Sequence, residues 1–134
     1  MKYLIDTHIL IWLAISPEKI AQNILQIIEN KRNRICVSTV SLWEIAVKIS
    51  IGKLSLKGLT INQLVAMCVE QDIEIIELPV SAIQTYSTLP IKENHRDPFD
   101  RALIALCISN HYTFLSVDNK LNQYKNNGLL LIDD

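Results

Sequence analysis

Four carboxylates, Asp6, Glu44, Asp100 and Asp118, are the side chains of this 134-residue sequence whose type and placement permit joint chemistry. Asp6 ends a short apolar run that begins at Lys2, and Asp118 ends another that begins at Tyr112. Glu44 and Asp100 fall near the starts of helical segments that follow strands. Gathered in one crevice, acids repel one another, and some of their pKa values rise unless a cation joins them. A cluster without matching Lys or Arg suits a hard divalent ion, Mg²⁺ or Mn²⁺, which prefers oxygen ligands. An ion held in that way can orient and activate a water and offset the charge that develops on a phosphodiester.

Each acid also has an ordinary structural reading. Glu44 can pair with Lys48 across one helical turn, and Asp100 can complement the dipole of the helix whose first turn it occupies. Asp6 and Asp118 can open Asx turns. Asp97, directly before Pro98, can cap a helix, reach Arg101 or serve as a further metal ligand. Arg96, Arg101, Lys48 and Lys120 flank the acids and read either as phosphate contacts or as surface charges. The histidines His8, His95 and His111 have no metal-binding spacing, and His95 reads as a phosphate contact or, more simply, as a solvated loop residue. No P-loop, GxSxG or CxxC motif occurs, and no side chain is placed as a covalent nucleophile.

Positioning these residues requires alternating strands and helices. Strands are expected over Lys2 to Ile5, Arg34 to Val37, Ile73 to Leu78, Tyr112 to Val117 and Leu129 to Ile132. Helices are expected over Thr7 to Ile15, from Ser16-Pro17 through Ile28, from Ser38 or Thr39 to about Ile51, over Thr60 to Gln71, over Val80 to Thr88, from Asp97-Pro98 to Asn110, and briefly from Asn119 to Tyr124. The strands are continuous apolar runs without a period of two. That pattern calls for a parallel sheet with helices on both faces, a three-layer α/β/α sandwich. In such sheets the binding crevice lies at the carboxyl ends of the strands, where Asp6 and Asp118 fall.

Composition sets the frame. Residues 1–134 are expected to form one domain, since 49% of residues are hydrophobic, 20% are charged and no linker or repeat interrupts them. The net charge of −1 supplies no global field for nucleic acid or membrane, so polyanion binding would fall to a local patch or a metal. Cys36, Cys68 and Cys107 are odd in number and lie in apolar runs, so buried thiols and a reducing cytoplasm are expected. The early Asp6 argues against a signal peptide, and no apolar run approaches the ~20 residues of a membrane span.

Four stretches, Leu4-Ile5-Asp6-Thr7-His8, Ser41-Leu42-Trp43-Glu44-Ile45-Ala46-Val47-Lys48, His95-Arg96-Asp97-Pro98-Phe99-Asp100-Arg101 and Leu115-Ser116-Val117-Asp118, occur in this order almost from end to end. Together they resemble the PIN-domain family and, within it, the VapC-type toxins of toxin–antitoxin pairs. The resemblance implies an α/β/α sandwich with Mg²⁺-dependent endoribonuclease activity, an RNA substrate, a homodimer and a small antitoxin that blocks the site. Matched by position, Asp6, Glu44, Asp100 and Asp118 are the family's acids, and Asp97 belongs to a part that many relatives lack. Thr7 and Ser116 match small hydroxyl positions beside the acids and, with Arg96 and Arg101, are the expected substrate contacts. Two rivals keep the fold: a catalytically silent RNA- or protein-binding module, against which the complete acid set argues, and a DNA-directed nuclease, which the low positive charge does not favour.

Overall fold

The computed structural model describes residues 1–92, 95 and 97–132. Its centre is a sheet of β1 (Lys2–Ile5), β2 (Arg34–Ser38), β3 (Ile73–Ile76), β4 (Thr113–Leu115) and β5 (Leu130–Ile132), ordered β3-β2-β1-β4-β5 with every pair parallel. Parallel neighbours need long crossovers, and helices supply them. These are α1 (Thr7–Ile15), α2 (Gln22–Glu29), α3 (Thr39–Ser50), α4 (Ile61–Glu70), α5 (Val80–Thr88) and α6 (Pro98–Asn110), with 3-10 segments at Pro17–Lys19 and Asn119–Asn127.

Side-chain alternation along the strands creates the three layers. Within β1, Tyr3 and Ile5 enter one core and Leu4 enters the other. The first core receives Ile9 and Leu10 of α1, Ile24 of α2 and Leu64 of α4. The second receives Ala82 of α5, Leu103, Ile104 and Leu106 of α6, and Tyr124. Helix α3 reaches both, through Ile45 and Val40. With both faces covered, the strands need no polar alternation, and the expected sandwich is the observed one. The three cysteines are free and buried, as expected.

Two sequence expectations require correction. Pro17 does not open the second helix: Pro17–Lys19 is a single 3-10 turn, Ile20 is extended and α2 starts at Gln22. Ser16 makes no side-chain cap there. Ile20 and Ile24 both reach the core across this break, so a spacing of four that suggests one helix is met by two elements. The strand before Asp118 is also shorter than expected, ending at Leu115, so Asp118 follows a two-residue connection through Ser116 and Val117.

From β1 the chain winds outward through β2 and β3, then returns to β4 on the other side of β1. The direction of winding reverses between β1 and β4, which opens a crevice at their carboxyl ends. Among the described residues no helix is long and apolar enough to cross a membrane.

Candidate metal centre

The crevice between β1 and β4 is a cavity of about 200 Å³ whose lining includes Asp6, Thr7, Asp100, Ser116 and Asp118. Asp6 is buried and its carboxylate is held at both oxygens. Oδ1 accepts the backbone N–H of Ile9 at 2.8 Å and so caps α1, while Oδ2 accepts the Ser116 hydroxyl at 2.6 Å and the Val117 N–H at 3.3 Å. Burial pushes the pKa of Asp6 up, and the Ser116 hydrogen bond is the largest influence in the other direction. Ser116 Oγ also accepts the backbone N–H of Asp118 at 3.1 Å, and Asp118 Oδ1 caps the next segment through the N–H of Lys120 at 2.9 Å. Each of these two aspartates therefore caps a following segment and also lines the cavity.

Glu44 projects from the middle of α3 and is 3% exposed, too deep for an unpartnered carboxylate. Thr7 donates to Glu44 Oε1 at 2.8 Å and lies 3.0 Å from Ser41 Oγ. Lys48 donates to Glu44 Oε2 at 2.6 Å. The pair with Lys48 that the i,i+4 spacing offered is therefore formed, though with a buried Glu44 and not on the surface, and it partly neutralises the wall on which Glu44 stands.

Asp97 and Asp100 open α6. Asp97 Oδ1 accepts the N–H of Phe99 at 2.8 Å and that of Asp100 at 3.3 Å, the geometry of a helix cap. Asp100, one turn on, faces the other acids. Its pKa is pushed up to about 7, first by burial and then by the charges of Asp97, Glu44, Asp118 and Asp6. All the acids singled out in the sequence thus act on one carboxylate.

His95, expected in solvent, is instead buried against this group. Its Nε2 lies 3.6 Å from Asp100 Oδ2, and one ligand atom from each of His95, Asp100 and Asp118 falls within 4.8 Å of the others. Its Nδ1 is 2.8 Å from the Tyr124 hydroxyl. Burial is the main influence lowering the His95 pKa. Loop position alone gave no signal for this, because the partner Tyr124 lies 29 residues on. Arg101 is a further correction. Its guanidinium is buried and donates to Leu89 O and Pro90 O, both at 2.9 Å, and to Tyr124 Oη at 3.2 Å, so it is committed to the interior and does not reach for phosphate. Arg96 lies outside the described residues.

A five-stranded parallel sheet with acids converging at its reversal point is the arrangement of a PIN domain, and the family model so described matches residues 3–127. The chain belongs to the PIN-domain family. Among solved structures it is similar to VapBC2 from Rickettsia felis bound to a DNA fragment from their promoter, with TM-score 0.70, 21% identity and coverage of 99% of this chain and 98% of that one. It is also similar to VapBC-1 from nontypeable Haemophilus influenzae, with TM-score 0.65, 17% identity and coverage of 99% and 98%. A third is VapBC-5 from Mycobacterium tuberculosis, a member of the VapBC family of toxin–antitoxin systems, with TM-score 0.62, 17% identity and the same coverage. At these identities the likeness is one of fold. No curated protein sequence matches the chain.

Proposed function

We propose that this chain is a divalent-metal-dependent endoribonuclease that acts as the toxin of a toxin–antitoxin pair in the cytoplasm. The observation that carries this reading is the convergence of four carboxylate charges on Asp100, at the carboxyl edge of the sheet. An acid held near neutrality by burial and by the charges of its neighbours is one that a cation would stabilise as the carboxylate. The donor set is chiefly carboxylate oxygen, which fits Mg²⁺ and accepts Mn²⁺. Asp6, Glu44, Asp100 and Asp118 would hold the ion, and Asp97, engaged in its cap, is the least available of the five. When bound, such an ion supplies Lewis acidity toward a phosphodiester and lowers the pKa of water.

The chain's own residues prepare this chemistry. Ser116 and the backbone N–H groups of Ile9 and Val117 fix the Asp6 carboxylate. Thr7 and Lys48 orient the two oxygens of Glu44. Lys48, the half-exposed cation on this wall, is suited to meet an RNA phosphate. The fold likeness to VapBC toxin–antitoxin proteins supports a cognate antitoxin as partner, and the family resemblance of the sequence motifs is the ground for a homodimer as the working form.

The test is cleavage of end-labelled single-stranded RNA by the purified chain with Mg²⁺ or Mn²⁺. Activity should stop with EDTA and disappear in Asp6→Asn while the fold survives. Undiminished cleavage in EDTA would refute the metal reading. Inertness toward RNA would leave a silent binding module, or a DNA nuclease if single- or double-stranded DNA is cut in its place.

A further inference from the structure

We infer that His95 is a positioning residue of this site: Arg101 and Tyr124 lock its imidazole with the proton on Nε2, and that N–H is aimed at the Asp100 carboxylate. The inference rests on the proposed metal-dependent reading for its purpose, but the lock itself follows from hydrogen-bond chemistry.

A guanidinium can only donate. Arg101 Nη1 donates to Tyr124 Oη at 3.2 Å, and its other described hydrogen bonds, to Leu89 O and Pro90 O, anchor the group to the loop that follows α5. The Tyr124 oxygen is therefore an acceptor toward Arg101, and the phenolic proton must find its own acceptor. Tyr124 is 0% exposed, so water does not serve. Among the described residues the atom in reach is His95 Nδ1, at 2.8 Å. Tyr124 donates to it, Nδ1 carries the lone pair, and the ring proton of the neutral imidazole sits on Nε2. The opposite tautomer would leave a buried phenol proton without an acceptor.

Nε2 is buried, has no hydrogen-bond partner among the described residues, and lies 3.6 Å from Asp100 Oδ2. That separation is too long for a hydrogen bond, but a shift of about half an ångström would make one. A nitrogen that carries a proton cannot bind a cation. His95 therefore stays out of the ligand set even though its ring touches the acids, and it acts by choosing which Asp100 oxygen faces the crevice. This also gives a purpose to the burial of Arg101.

The decisive measurement is the tautomer, read by ¹⁵N NMR of ring-labelled, metal-free protein. We expect a pyrrole-type Nε2 and a pyridine-type Nδ1 for His95, with the pattern lost in Tyr124→Phe. Mg²⁺ and Mn²⁺ affinity, measured by calorimetry, should fall roughly 10- to 100-fold in Tyr124→Phe and His95→Ala, the range for partners that orient a metal ligand. His95→Gln, which keeps an N–H donor, should recover part of the loss. A merely structural His95 would lower the melting temperature and leave the affinity of the folded variants unchanged. A proton on Nδ1, or an Nε2 resonance that becomes metal-bound on titration, overturns the inference without any variant having to fold. If the wild-type chain binds no metal, the metal reading fails along with it. If the wild type binds and both variants bind as tightly, only the positioning role fails.

Discussion

Ser116 ties Asp6 to the neighbouring strand. Its hydroxyl donates to Asp6 Oδ2 at 2.6 Å, while its own oxygen accepts the Asp118 N–H at 3.1 Å, so one small side chain sets two of the four acids. Ser116→Ala removes the strongest hydrogen bond to a buried carboxylate. We expect a stability loss of about 1.5–3 kcal/mol, as for hydrogen bonds to charged groups. Cleavage should drop roughly 10- to 100-fold, the scale of a misplaced site group. Ser116→Thr, which keeps the hydroxyl, should retain most of both. Thermal melts and single-turnover RNA cleavage would measure the two effects.

Asp97 and Asp100 share one helical turn but should behave differently. Asp97 caps α6, so Asp97→Ala should cost about 1 kcal/mol and leave measurable cleavage, with Asp97→Asn milder because Asn caps nearly as well. Asp100→Asn should abolish cleavage and weaken metal binding without lowering metal-free stability, since it removes a charge that the other acids repel. A stable, inactive Asp97→Asn beside an active Asp100→Asn would show that the ligand is Asp97.

Burial of Asp100, reinforced by the same repulsion, makes the metal-free protein pH-sensitive. Asp100 has a folded-state pKa of about 7, against an ordinary value of 3.8. Between those values the native chain holds a proton that the unfolded chain has released. Its stabilising contribution is therefore full below about pH 4 and is lost as pH rises through 7. Burial of Asp6 adds a change of the same sign. Metal-free melting temperatures should fall from pH 5 to pH 7.5, and Asp100→Asn should flatten that slope. A slope unchanged in Asp100→Asn would place the titration elsewhere.

Lys48 offsets the buried charge of Glu44, whose side chain is only 4% exposed. Because Lys48 is itself 39% exposed, Lys48→Met should cost less than breaking a fully buried pair, about 1–2 kcal/mol. A bound cation can take over part of its role. At ~100 times the dissociation constant, Mg²⁺ should stabilise the wild type by roughly 2.7 kcal/mol. At equal Mg²⁺ concentration the gain for Lys48→Met should be larger, because loss of the competing ammonium should lower the dissociation constant for the cation. Superimposable melting curves of the wild type with and without millimolar Mg²⁺ would argue against a site formed in advance.

Local chemistry made much of this architecture legible. Asp97-Pro98 fixed the start of α6, the Thr60–Gln63 capping box sits where α4 was expected to begin, and the apolar runs declared a sheet covered on both faces. What escaped detection depended on distant contacts. Pro17 looked like a helix opener because Ile20 and Ile24 keep helical spacing, although an extended residue separates their elements. Arg101 looked like a phosphate contact or a surface charge, and its burial depends on partners 11 to 23 residues away, Pro90, Leu89 and Tyr124. His95 gave no sign either, because a loop histidine is buried or solvated according to what the rest of the fold lays over it.

The central position of β1 carries a temporal consequence. Asp6 is synthesised well before its partners: the hydroxyl that holds its carboxylate comes 110 residues later, and the Asp6 backbone N–H pairs with Leu115 O at 3.0 Å. Until β4 docks beside β1, the emerging polypeptide has its early acids but no crevice in which they can meet. The cluster therefore assembles only once the chain through β4 and Asp118 has been made, and fragments that stop before Thr113 do not contain it.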